Sequence, residues 1–157
     1  MKAINSSVVA LITTFIFSSC LKSNLPEFPL WDGNFITNVF VEHRYNGPQS
    51  RYNEPIVVYQ KLTISNMVID SAKSRVEFTL TVPAPVGSFT ADEKVRVKQD
   101  HLWVYMDIST AATIAPVGNT PSLGDPTDLT REQTYEVTAA NGDKRTWTIA
   151  VASFVNN

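Results

Sequence analysis

The sequence predicts an all-β protein: a two-sheet sandwich of about seven strands, with one short helical turn near residues 90–97. Three observations carry this. From Gln133 to Phe154, Tyr135, Val137 and Ala139 alternate with polar residues on one arm, and Trp147, Ile149 and Val151 alternate with Thr146, Thr148 and small Ala150 on the other. A two-residue period buries one face of each strand and wets the other. Between the arms stands Ala140-Asn141-Gly142-Asp143, and Asn-Gly marks a hairpin because both residues tolerate positive φ. Upstream, short alternating runs are separated by turn residues and by connections long enough for a Greek key.

The chain has 157 residues, enough for one domain. Apolar residues make up 43% and charged residues 18%, a balance that builds a core and excludes wholesale disorder. Net charge is −2 without a basic run, so no nucleic-acid partner is expected. The elements then follow in order.

Residues 1–19 have the layout of a signal peptide. Lys2 supplies the positive start and Val8 to Phe17 an apolar run too short to span a bilayer as a mature helix. Phe17-Ser18-Ser19-Cys20 resembles a bacterial lipobox, with Phe17 where Leu is more usual. Cys20 is the single cysteine, so no internal disulfide is available. The resemblance implies that Cys20 is acylated and that the lipid bilayer is a partner, since several acyl chains anchor a protein durably. Residues 20–34 read as an extended tether with Pro26, Pro29 and an Asp32-Gly33-Asn34 turn; Trp31 either stays out or folds back onto the domain.

The domain proper is expected over 35–157. Phe35 to Tyr45 is a strand of ambiguous phase: Thr37, Val39, Val41 and Tyr45 share one face, Ile36, Phe40 and Arg44 the other. A bulge, or cover on both sides, gives such a pattern. Asn46 to Pro55 reads as a loop by composition, and Ile56 to Ser65 as a strand continued after a break by Met67 to Ile69. Asp70 to Ser74 is a turn. Arg75 to Val82 alternates most cleanly, with Val76, Phe78, Leu80 and Val82 inward. Pro83 to Ser88 crosses over, and Thr90-Ala91-Asp92-Glu93 has capping-box spacing, in which Thr and Glu side chains satisfy two amides reciprocally. Leu102 to Ile108 is a strand with Trp103, Tyr105 and Asp107 opposite its core residues. Thr113-Ile114 is a short edge strand. The connection 115–130 is long for a compact domain; it either wraps a sheet edge or carries function.

FITNVFVEHRY (35–45), QKLTISNMVID (60–70), STAATI (109–114) and TYEVTAANGDKRTWTI (134–149), behind the lipobox and the proline tether, look like a group of Bacteroidetes lipoproteins with domains of unknown function. The last motif is similar to one in bacterial immunoglobulin-like and cadherin-like sandwich repeats, which implies an immunoglobulin-like sandwich. Similar lipoproteins sit in the outer membrane beside glycan-uptake systems. The acidic surface-export tag seen in many of them is not evident at Leu21-Lys22-Ser23-Asn24, which leaves the periplasmic and surface faces both open.

Chemistry-bearing residues are few. His43 and His101 lack a His or Cys partner at ligand spacing, so no metal is expected and both read as exposed or hydrogen-bonded. Asp125 and Asp128 could offer oxygens to calcium, but without the D-x-D-x-D-G pattern. There is no G-x-S-x-G, and Asp92 and Glu93 are adjacent and diverge. Neither an enzyme nor a cofactor is predicted. The candidate ligand residues are Trp103, Tyr105 and Asp107, with Arg51 and Tyr52 as a second group, because flat rings beside a polar group suit a sugar. The plain alternative is that the 115–130 connection or the tether covers Trp103 and Tyr105 as satellite core; Trp147 reads as core. Three functions are in play: a glycan-capture module, a module docking a larger envelope protein through a sheet edge, and a hydrolase, which would need carboxylates or a histidine converging in a cleft.

Overall fold

Nine strands and one helix are present in the computed structural model, which describes residues 29–157. The signal peptide, Cys20 and the first part of the tether lie outside the described residues. The strands are β1 (Ile36–Arg51), β2 (Glu54–Lys61), β3 (Thr63–Asp70), β4 (Arg75–Thr81), β5 (Leu102–Ile108), β6 (Thr113–Pro116), β7 (Pro126–Thr127), β8 (Gln133–Thr138) and β9 (Lys144–Val155), with helix α1 (Ala91–Arg96) between β4 and β5. One sheet has the order β2-β1-β5-β7 and the other β3-β4-β9-β8-β6. All pairs are antiparallel except β4 with β9.

The core lies between the sheets. Val39, Val41, Leu102 and Val104 come from the four-stranded sheet; Val76, Phe78, Leu80, Tyr135, Val137, Trp147 and Ile149 come from the five-stranded one. Each large side chain so buried contributes about 1.5–3 kcal/mol of transfer free energy. The alternation read in β4, β8 and the first half of β9 holds: Thr146 is exposed and Thr148 half-buried while Trp147 and Ile149 are buried; past Ile149 it breaks, with Ala150 buried and Val151 half-buried.

The phase of β1 is resolved by a bulge. Ile36 pairs with Ile108 and Asn38 with Asp107, so one residue, Thr37, is extra on β1. That insertion flips the face, and Ile36 and Val39 both point inward.

Three expectations are corrected. Asn46 to Pro55 is mostly strand: β1 and β2 form a long hairpin closed at Arg51↔Glu54, with Tyr52 (φ 53°) and Asn53 (φ 65°) as a two-residue turn. Its composition looks loop-like because this ribbon extends past the core and buries neither face. The run Ile56 to Ser65 is not one strand. It changes sheets at Leu62, which is buried and whose N–H donates to the Val41 carbonyl at 2.9 Å. The capping box is half formed: the Glu93 N–H donates to Thr90 Oγ1 at 3.2 Å, but the Glu93 carboxylate turns away to His43 and Arg96.

The final hairpin closes differently from two positive-φ residues. Gly142 takes φ 93° and its N–H donates to the Ala139 carbonyl at 3.0 Å, whereas Asn141 stays out of that region. This is the three-residue loop in which a glycine bulge follows a type I turn. The 115–130 connection wraps the sandwich, giving β6 to one sheet and β7 to the other, and buries Leu129 and Thr127.

Candidate functional site

The outer face of the four-stranded sheet is built by the same period of two that fills the core. Val39 and Val41 point inward from β1, so Phe40, Glu42 and Arg44 point outward. Across the sheet, Phe40 pairs with Tyr105, Glu42 with both Trp103 and Lys61, and Arg44 with Tyr59. Partners directly opposite one another share a face. Register thus gathers three strands' worth of rings and charges on one outer surface.

Arg44 is its centre. Its Nε donates to Glu42 Oε1 at 2.8 Å, and a terminal nitrogen donates to the Tyr105 hydroxyl. The guanidinium lies 5.4 Å from the Trp103 ring centroid and 5.7 Å from that of Tyr105, inside the range in which a ring face attracts a cation. His101 meets Trp103 edge-on at 5.1 Å. Glu42 is nearly buried, while Tyr59 is 58% and Phe40 37% exposed. Phe40, Val41, Glu42, Arg44, Tyr59, Lys61 and Tyr105 line an open groove of about 370 Å³.

The residues singled out from sequence fall in two places. Trp103 and Tyr105 are half-buried, covered by Arg44, and Asp107 is exposed further along β5 opposite Asn38. Arg51 and Tyr52 stack on each other at 5.3 Å on the tip of the β1–β2 hairpin. Nine strand residues from Glu42 at about 3.3 Å each, less the bulge, set the tip roughly 25 Å from Trp103. The two groups do not form one site. Phe40, Glu42, Arg44, Tyr59 and Lys61 were not anticipated. A signal existed in aromatic residues out of phase with Val39, Val41 and Val58, but only the register shows that they meet.

A family model described as DUF5018-related matches residues 36–150. The chain belongs to the DUF5018-related family. A solved structure from Bacteroides fragilis NCTC 9343, of a protein described as secreted, has a TM-score of 0.73 and 35% identity, covering 80% of this chain and 99% of that one. No curated protein matches the chain. Neither match indicates a catalytic family.

Elsewhere in this DUF5018-related domain several ionisable groups are occupied by structural bonds. Among the described residues, no three of His, Cys, Asp and Glu cluster as metal ligands would. Asp128 accepts from the Thr130 hydroxyl and N–H and from Arg131. The Thr130 hydroxyl chiefly holds its carboxyl below the usual range. A second cavity of about 310 Å³ includes Asp128, Arg131, Glu132 and Gln133. Its charges are already paired, Asp128 with Arg131 and Glu132 with Arg75. His43 is buried and its Nε2 bonds Glu93 Oε1 at 2.9 Å, whereas His101 is exposed. Asp107 and Glu136 stand in different sheets, Glu136 paired with Lys144. Among the described residues no helix is long and apolar enough to cross a membrane.

Proposed function

We propose that this chain is an extracytoplasmic lipoprotein, held at the outer membrane through acylated Cys20, that captures a saccharide without transforming it. In this reading it serves as an accessory module of a polysaccharide-uptake system, on an immunoglobulin-like type of sandwich. The observation that carries the binding role is the groove on the four-stranded sheet. Tyr59 and Phe40 offer exposed ring faces, and Arg44, Glu42 and Lys61 offer hydrogen-bonding groups beside them. The C–H face of a pyranose stacks on such rings while its hydroxyls meet charged partners. The groove's volume falls at the lower end of the roughly 300–1,000 Å³ range of small-ligand sites. The anchor rests on the lipobox, and the extracytoplasmic address is supported by the Bacteroides relative described as secreted.

The test is a polysaccharide panel screened by calorimetry or affinity electrophoresis, with Tyr59→Ala and Trp103→Ala beside the parent. Binding lost in the variants, with unfolding curves intact, supports the reading. A well-folded parent that retains no polysaccharide removes it. Palmitate incorporation that disappears in Cys20→Ser tests the anchor separately.

One observation favours a second reading, docking of a larger envelope protein. Strand β2 is the outer strand of its sheet, with Ile56, Val57 and Tyr59 exposed along it. An open edge is a template for a partner strand. Crosslinking that recovers one stoichiometric protein, and no sugar, would favour this reading over capture.

A further inference from the structure

The charges of the groove are unequal, and the inequality points to a class of sugar. Glu42 is the only carboxylate among the groove's lining residues, against the two cations Arg44 and Lys61. It is 9% exposed, lies between Trp103 and Lys61 across the sheet, and its Oε1 is held by Arg44 Nε at 2.8 Å. Arg44 also spends a terminal nitrogen on the Tyr105 hydroxyl. Arg44 and Glu42 thus neutralise each other. Lys61 is exposed and has no ion-pair partner among the described residues. The groove carries one uncompensated positive charge beside Tyr59, on a chain whose net charge is −2.

Resting on the capture reading above, we propose that the ligand is an acidic oligosaccharide, successive rings stacked on Tyr59 and Phe40 and a carboxylate or sulfate between them received by Lys61. An ammonium with all three donors unspent bonds an anion more strongly than it bonds a neutral hydroxyl. The Trp103 side of the surface, capped by Arg44, is then the floor that holds the groove's shape, and the exposed rings are the contact.

The experiment titrates the full chain with matched probes: oligogalacturonides before and after methyl esterification, and dextran sulfate against dextran. The expected result is binding about tenfold tighter to an acidic probe than to its neutral partner. That preference should shrink with added salt and vanish in Lys61→Gln, which should bind the two members of each pair equally. Lys61→Arg should retain it. Which acidic probe wins tells carboxylate from sulfate. Equal affinity for both members of each pair, or a preference that survives Lys61→Gln, overturns this inference and leaves capture standing. No binding to any probe, with the chain folded, overturns both.

Discussion

The buried indole N–H of Trp147 donates to the main-chain carbonyl of Asn34 at 3.0 Å, across 113 residues of sequence. Around that bond, Arg145 lies 4.6 Å from the Phe35 ring centroid and 5.9 Å from that of Trp147. Phe35 exchanges main-chain bonds of 2.9 Å with Ser109, one through the serine hydroxyl, and the Trp31 carbonyl accepts from the Asn141 N–H at 3.1 Å. The segment read from sequence as the end of a tether is therefore tied into the fold from Trp31 onward. The last hairpin and the end of β5 hold it there.

Replacing Trp147 with Phe keeps most of the packing and removes one donor. The Asn34 carbonyl is then left buried without its partner, which costs about 1–3 kcal/mol. Urea unfolding should show that loss. Deleting residues through Asn34 should cost less in Trp147→Phe than in the parent, because both changes remove the same bond. Fully additive losses would show that the bond does not couple the two segments.

Glu93 joins α1 to the sheet through His43. The Nδ1 of His43 is buried without a partner, so its Nε2 bond to Glu93 is the ring's single hydrogen bond among the described residues. Glu93→Ala should destabilise by about 2 kcal/mol, since it orphans a second buried ring nitrogen. Thr90→Ala, which removes only the cap, should cost about 1 kcal/mol. Equal losses in the two variants would mean that the histidine bond adds nothing.

Those two contacts also show where sequence stops being legible. The alternation is unbroken in β4, in β8 and in β9 as far as Ile149, so Val76, Phe78, Tyr135, Trp147 and Ile149 could be placed inward from their spacing alone. In β1 one inserted residue, Thr37, moves every later side chain to the other face, and no residue type announces it. At Leu62 the apolar alternation continues while the strand changes sheets. At the β1–β2 tip a tyrosine takes positive φ, which its chemistry does not favour. Trp103 and Tyr105 could be assigned to an outer face, but Arg44 over them and Tyr59 beside them depend on register between strands far apart in sequence. The second half of the capping box is missing for a similar reason: a buried histidine outcompetes a local amide for the Glu93 carboxylate.

Burial pushes the Tyr135 phenol up to about 12, from about 10 in the unfolded chain. Its hydroxyl donates to the Pro121 carbonyl at 3.2 Å. Between those values the unfolded state loses the proton and the folded state keeps it. This contribution to stability is complete below about pH 10 and is lost as pH rises toward 12, by about 1.4 kcal/mol per pH unit. Lysines titrate in the same window, so the measurement is the difference between the parent and Tyr135→Phe in urea unfolding. The parent should lose stability more steeply with pH than the variant; parallel slopes would show that the phenol ionises as readily folded as unfolded.

Arg44 is placed to decide whether Trp103 and Tyr105 are platform or floor. Its guanidinium sits over both rings and neutralises the nearly buried Glu42. In Arg44→Ala the rings lose their cover and Glu42 its counter-charge, so stability should fall by about 1–3 kcal/mol, chiefly from the orphaned carboxylate. Arg44→Ala/Glu42→Gln should recover part of that loss, because no buried charge remains to be satisfied. Acrylamide should reach Trp103 more readily in both variants, read against a Trp103→Phe control that removes its signal. If the arginine merely grazes the surface, quenching and stability stay at parental values, and Trp103 returns as the exposed ring on which a sugar would stack.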